Sequence, residues 1–412
     1  MSTSLGRIAY GAAAAVALFV AALSTSAAQP VRDSAGTRIV ENAQPLLSGG
    51  RAPRLASAPL LELDPTKGAD YTFGRVIGAL RLADGRIFVA AQQAPHFRLF
   101  NANGRLLHAI EEPSTGSTTN DVGHLVAKLR GDTIAILFRL GATRLVIAGD
   151  SLRRIGAPRE TPHGPPMTIL INALTNGGSA SASLPRPLDR AVGTQWVDST
   201  GFVLRDRDGA LIRDLGNMPY ITLEMTKTHP SPPWLSAIAI TCAGAGRFYY
   251  GFGNEFSLRS YSERGALESI IRRAWTPTPV TPADWEHWVT DWSKLWVKER
   301  GPDSLKAVQR VREEAYAFEL PAFSGCLVGQ DQTLWVREAH LDDAISAGSL
   351  NDDPLVASKW SVFNPAGRWM SDVTMPAGFQ PTDIGTDYVA GRFRRAPGRM
   401  TVVVYRLSTE AR

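Results

Sequence analysis

Short runs of Val, Ile, Leu and Phe recur along the chain, each closed by a Gly, Asp-Gly or Asn-containing turn and followed by a second apolar run. Examples are Leu82-Ala83-Asp84-Gly85-Arg86-Ile87-Phe88-Val89 and Leu99-Phe100-Asn101-Ala102-Asn103-Gly104-Arg105-Leu106-Leu107. The phrase returns at Val203 to Ile212 around Asp208-Gly209, and at Trp360 to Trp369 around Asn364-Pro365-Ala366-Gly367. Runs of four to six such residues between turn formers read as strands. A unit of this size cannot bury its own apolar face, so repetition predicts stacking of the units on one another.

Six strand clusters follow, at about 73–110, 122–155, 167–215, 236–272, 322–375 and 382–407. The third is the most irregular and the sixth supplies only three strands. Pro59-Leu60-Leu61-Glu62-Leu63 has no local partner, and placing it in the last cluster closes a ring and removes an exposed strand edge. The expected class is therefore all-β, a six-bladed β-propeller closed by an N-terminal strand. A two-helix insertion at about 281–319, before blade five, interrupts it. Thr281-Pro282-Ala283-Asp284 has the capping signature of a helix start. Trp285, Trp288, Val289, Trp292, Leu295 and Trp296 then fall on one helical stripe. Gly301-Pro302 ends it, Leu305, Val308, Val311, Ala315 and Phe318 suggest a second helix, and Pro321 stops that one.

The ends change the picture next. Arg7 precedes an apolar run of 16 residues, Ile8 to Leu23, and Ser26 and Ala28 are small residues suited to cleavage after Ala28. Residues 1–28 read as a signal peptide, 29–55 as a flexible leader rich in small and polar residues, and 56–412 as the propeller. The expected location is secreted or periplasmic, with no membrane span once the signal is removed; the run is short for a span of roughly 20 residues. Loss of Arg7 takes the net charge from +5 to +4, with Lys and Arg scattered rather than striped, which excludes a nucleic-acid partner. An oxidising compartment permits the two cysteines, Cys242 and Cys326, to pair. Sequence leaves a disulfide and two buried thiols both open.

Several stretches resemble exported bacterial six-bladed β-propellers of the NHL-repeat-like kind. They are Asp84 to Ala90 with Phe100 to Arg105, the helical insert before Leu334-Trp335-Val336, and Trp360 to Asn364 with Gly367-Arg368. Val373, Pro376, Ile384-Gly385, Tyr388 to Gly391 and Val402 to Leu407 complete the likeness, which covers most of 56–407. It implies the fold. The turn after the first blade departs from the pattern, reading Glu112-Pro113-Ser114-Thr115-Gly116. Calcium-type lactonases and zinc-type lyases share the fold, but their ligand motifs have no counterpart here, and fold alone assigns no activity.

In this fold the links from second to third strand, and from blade to blade, open on one face. His96, His163, His229, His287 and His340 fall there, without the spacing of a metal motif. The ends of the second strands, which rim the central channel, read Gln92, Arg139, Phe252, Arg337 and Arg392. Three arginines around one opening predict a cationic mouth for a carboxylate, phosphate or sulfate, with Glu338 orienting Arg337. The competing reading pairs each Arg with an acid of a neighbouring blade, such as Glu255, Asp342 or Asp343. Trp288 and Trp292 are either core of the insert or a platform for a sugar or peptide.

The expected function is a non-catalytic, monomeric binding propeller. Its site residues are Arg139, Arg337, Glu338, Arg392, His340, His96, Trp288 and Trp292, and its partner is a small anion, a glycan or a protein. No cofactor is expected. The alternative is a metal-dependent hydrolase or lyase, lactonase-like, with a divalent metal in the channel. No G-x-S-x-G elbow, C-x-x-C-H motif or phosphate-binding Gly loop is present.

Overall fold

The computed structural model describes residues 31–92, 94–111, 125–138, 141–156, 159–160, 168–183, 191–225, 230–231, 236–300, 309, 316–341, 356–396 and 399–408. They form six blades of antiparallel strands. Blade one is Val76–Arg81, Ile87–Ala91, Phe97–Phe100 and Leu106–Ile110, and blade two Leu125–Lys128, Thr133–Phe138, Gly141–Ala148 and Ser151–Arg154. Blade three is Thr168–Ala173, Ser179–Ser183 and the long hairpin Gln195–Arg205 with Leu211–Met225, extended by Pro230–Ser231. Blade four is Ala239–Gly244, Arg247–Phe252, Ser257–Ser262 and Leu267–Arg273, and blade five Gly325–Val328, Leu334–Arg337, Ser358–Phe363 and Trp369–Met375. Blade six is Phe379–Ile384, Tyr388–Ala396 and Arg399–Ser408, and its fourth strand is Arg54–Leu63 from the N-terminal side. The first strands of successive blades touch one another all the way round, blade six against blade one included. The ring is a six-bladed β-propeller.

Inner blade strands are apolar on both faces where neighbouring blades cover the sheet on both sides. All five residues of Ile87–Ala91 are buried. Among the described residues one apolar cluster fills each seam between neighbouring blades. The turn phrase has its own chemistry. Asn101 Oδ1 accepts the Asn103 and Arg105 amides, and Asn364 Oδ1 those of Ala366 and Arg368, so one side chain satisfies two turn donors. The glycines are needed for space as well as conformation. At Gly367 (φ +78°) a Cβ would lie 2.9 Å from Ile271, and at Gly104 (φ +82°) 2.9 Å from Leu63.

The stretch read as a flexible leader is corrected. Val31–Ser34 and Thr37–Asn42 form a hairpin whose second strand pairs in parallel with Leu267–Arg273 of blade four. The chain then bonds the outer strand of blade five, with the Leu46 and Leu47 amides donating to Trp369 and Met370 carbonyls, before completing blade six. A belt thus runs along the outer edges of blades four, five and six. Asn42, 2% exposed, ties it down: Nδ2 donates to the Arg272 and Gly367 carbonyls at 2.9 and 3.0 Å, and Oδ1 accepts the Trp369 amide at 2.9 Å. The physical reason is the strand–turn–strand pattern itself, with Ala35 and Gly36 at positive φ between Val31 and Val40.

The insert begins as the sequence predicts. Thr281 and Asp284 cap each other reciprocally at the start of the helix Pro282–Arg300. Of the second predicted helix, Leu305, Val308, Val311 and Ala315 lie outside the described residues, and Phe318 is 70% exposed. No helix among the described residues is long and apolar enough to cross a membrane. The signal segment, 1–28, lies outside the described residues. Cys242 and Cys326 form a disulfide between the first strands of blades four and five, with Cα atoms 5.7 Å apart. Closing an 84-residue separation in the unfolded chain stabilises the fold by about 2–4 kcal/mol.

Candidate functional site

Alternation along a strand decides where the predicted site residues go. Arg337 closes the second strand of blade five and Glu338 follows it, so their side chains leave opposite faces of the blade. Arg337, 8% exposed, crosses toward blade six, where Nη1 donates to Gln380 Oε1 at 3.4 Å. Arg392, 4% exposed, crosses toward blade one, and its Nη1 donates to the Val76 carbonyl at 2.9 Å. The open cationic mouth is therefore corrected for these two: each guanidinium is laid into a seam, where tight packing encloses it and the next blade offers an acceptor. Arg139 lies outside the described residues. Glu338 does not orient Arg337. It turns to the other seam and meets Arg273, the last residue of blade four.

The Arg273–Glu338 pair is the centre of a charged group. Arg273 Nη1 also donates to Ser361 Oγ, and the guanidinium lies between the rings of Phe256 and Trp369, 4.2 and 4.6 Å from their centroids. Ser361 Oγ lies 3.0 Å from Glu338 Oε1 and 2.9 Å from Asp372 Oδ1. Lys359 Nζ bridges the same two acids at 3.2 and 2.9 Å. Two cations and two anions thus cancel. Burial by itself would raise the Glu338 carboxyl, but the Arg273 hydrogen bond and charge, with Lys359 beside it, hold it below the ordinary glutamate range. Burial would lower Lys359, but its acid partners hold it above its ordinary value.

Of this group, Arg273 and Glu338 form the polar wall of a cleft of about 430 Å³ on the face that carries the blade-to-blade links. Trp275, Thr276 and Thr278 line it from the stem of the insert, and Pro321, Ala322 and Ala339 from blade five's side. The belt supports the same wall, since the Asn42 carbonyl accepts the Ala274 amide at 2.9 Å. All the contacts on Glu338 converge on Oε1; among the described residues Oε2 takes no hydrogen bond. The site is one half-buried aromatic ring, two threonines and an ionised carboxylate oxygen, with no net charge behind them.

The remaining candidates do not gather here. Trp288 is 1% exposed, its ring stacked on Trp285 at 4.7 Å, and Trp285 is stacked in turn on Tyr316. Its packing role is the insert's own core, which corrects the platform reading for this residue. Trp292 sits on the same helix, and its side chain lies outside the described residues. His96 is half-buried against Phe97, His340 is exposed, and His287 is exposed on the helix, 3.4 Å from Asp291. His163 and His229 lie outside the described residues. Among the described residues no three His, Cys, Asp or Glu side chains gather as metal ligands would. Sequence reasoning missed Arg273, whose only signal is its position at the end of a blade's last strand, two residues before Trp275.

No protein-family model matches the chain, and no curated protein does. Solved structures are similar at low identity. A Bacteroides fragilis protein assigned as exported has 10% identity and a TM-score of 0.44, covering 90% of this chain and 99% of its own. A luciferin-regenerating enzyme has 9% identity and a TM-score of 0.41, with 85% and 95% covered. A gluconolactonase from Xanthomonas campestris has 10% identity and a TM-score of 0.39, with 86% and 95% covered. Likenesses this distant do not bear on the cleft.

Proposed function

We propose that the chain is an exported, non-catalytic binding propeller that seats a neutral polyhydroxylated ligand, a saccharide, in the cleft between blades four and five. The observation that carries this reading is that Oε2 of an ionised Glu338 takes no hydrogen bond among the described residues, in a cleft that Trp275 also lines and in front of a charge group that sums to zero. A carboxylate oxygen accepts from hydroxyls, and an aromatic face packs against the C–H face of a sugar ring. An anion meets the Glu338 carboxylate there, and Arg273 Nη1 is engaged by Glu338 and Ser361; an ammonium meets the cations Arg273 and Lys359, which already pair with Glu338. The preference among small anion, glycan and protein is thereby narrowed to the glycan.

The same charges bear on one catalytic role, that of a general acid. An ionised glutamate held by Arg273 has no proton to donate at neutral pH, so it is unsuited to be a general acid. Export is supported by the Arg7 to Ala28 signal pattern and by the disulfide, which suits an oxidising compartment.

Ligand-observed NMR with maltotriose, cellotriose, triacetylchitotriose, citrate and glutamate tests the reading. At least one neutral trisaccharide is expected to bind, and Trp275→Ala weakens it about tenfold. Binding restricted to citrate or glutamate, or indifferent to Trp275→Ala, overturns it. So does metal-dependent hydrolysis of a sugar lactone by the purified protein.

A further inference from the structure

The neighbours of Glu338 Oε2 narrow the kind of sugar ring that suits the cleft. The Ser324 amide donates to the Arg337 carbonyl at 2.9 Å, so the chain entering blade five's first strand runs beside the chain leaving its second. Pro321 comes from the one and Ala339 from the other; both line the cleft with Glu338, and both are half-buried. Blade four fixes the first of these segments. The Ala322 amide donates to the Gly253 carbonyl at 2.7 Å, and a Cβ at Gly253 would lie 2.8 Å from the Pro321 Cβ, so only glycine lets the two chains come this close. On the side of the insert's stem, Thr276 and Thr278 line the cleft and are exposed.

The balance of donors and acceptors discriminates among sugars. The Glu338 side chain is 21% exposed, and its Oε2 is an acceptor that takes no hydrogen bond among the described residues. A hydroxyl that donates to it still has lone pairs to satisfy. Neither Pro321 nor Ala339 has a side-chain donor to offer. Arg273, its side chain 7% exposed, has Nη1 on Glu338 and Ser361. An amide N–H is a donor only, so one bond satisfies it, and a bond to a carboxylate is among the stronger kinds. An acetamido group brings two further parts that match the lining. Its carbonyl accepts from a threonine hydroxyl, and its methyl leaves water against Pro321 and Ala339.

We infer that the cleft selects an N-acetylated sugar, a 2-acetamido-2-deoxyhexose unit of an oligosaccharide, with its amide N–H on Glu338 Oε2, its methyl against Pro321 and Ala339, and its ring on Trp275. The volume of about 430 Å³ lies within the range of small-ligand sites and admits the ring with its substituent. This inference rests on the saccharide reading of the same cleft.

Isothermal titration of the full chain with triacetylchitotriose, cellotriose and maltotriose tests this. The first two share length and linkage and differ by an acetamido group in place of the hydroxyl at C2. Triacetylchitotriose is expected to bind about tenfold tighter than cellotriose, or more. Ala339→Val fills the space assigned to the methyl, and is expected to weaken triacetylchitotriose about fivefold or more while sparing the unacetylated sugars. If Ala339→Val does not fold, the double variant Thr276→Val with Thr278→Val, at exposed positions, is expected to give the same pattern through the acetyl carbonyl. Equal affinity for triacetylchitotriose and cellotriose, a preference for either unacetylated sugar, or a preference untouched by the variant overturns this inference and leaves the saccharide reading standing. Binding of none of the three overturns both.

Discussion

The seams between blades four and five and between blades six and one are both polar at the edges of an apolar core, and they use charge in opposite ways. At the first, Arg273, Lys359, Glu338 and Asp372 compensate one another and lie partly open to a cleft. At the second, charges stand apart. Arg98 is enclosed at one end, and Asp383, 8% exposed, is enclosed at the other. Asp383 Oδ2 accepts the Arg81 amide and the Tyr388 hydroxyl, each at 2.8 Å, and Gln330 Nε2 donates to Oδ1 at 3.0 Å. Three blades meet on that one carboxyl. Burial pushes it above the ordinary aspartate range despite those donors, with no cation in hydrogen-bond contact among the described residues. The difference teaches that burial alone does not set a carboxyl's state here; the cation in contact does. Glu338 keeps its charge, which on the proposed reading is offered to a ligand, whereas Asp383 serves the ring.

The largest expected effect breaks the compensated seam. Arg273→Met leaves Glu338 and Ser361 without their donor while Lys359 remains, and is expected to cost about 3–5 kcal/mol. Chemical denaturation measures it. A loss below about 1 kcal/mol would mean that the aromatic sandwich, rather than the ion pair, sets this junction.

A smaller effect sharpens the contrast through pH. Glu338 has a lowered folded pKa, so the stability it contributes is present above its ordinary value of 4.5 and is lost as pH falls through the folded value. Asp383 has a raised folded pKa, so its contribution is present below 3.8 and is lost as pH rises through the folded value. Relative to Glu338→Gln, the wild type should lose stability on acidification. Relative to Asp383→Asn, it should gain stability on acidification. Denaturation midpoints of the two variants and the wild type from neutral pH to about 3.5 check this, and slopes of the same sign would remove the distinction.

Much of the architecture was legible because it rests on local chemistry. The Asn101 and Asn364 turns and the Thr281–Asp284 cap are short-range devices with fixed spacing. The belt used the same strand–turn–strand phrase, Val31 to Asn42, but its partner strand is more than 220 residues away, so nothing local announced the pairing. The site was half legible. Glu338 and Arg337 were grouped as one feature because they are adjacent, although adjacency in a strand separates side chains. Arg273 and Arg98 carry no motif. Each becomes informative only through what packs around it: two aromatic rings and a carboxylate for one, and a buried edge without a hydrogen-bond partner among the described residues for the other.

Residues 337 and 338 therefore give the most direct test of where the ligand sits. Isothermal titration of the tightest-binding neutral trisaccharide is run on the wild type, Glu338→Gln and Arg337→Gln, with folding verified for each. The account predicts affinity reduced about tenfold or more in Glu338→Gln and unchanged in Arg337→Gln. Affinity lost in Arg337→Gln and kept in Glu338→Gln, or no trisaccharide binding at all, would contradict it.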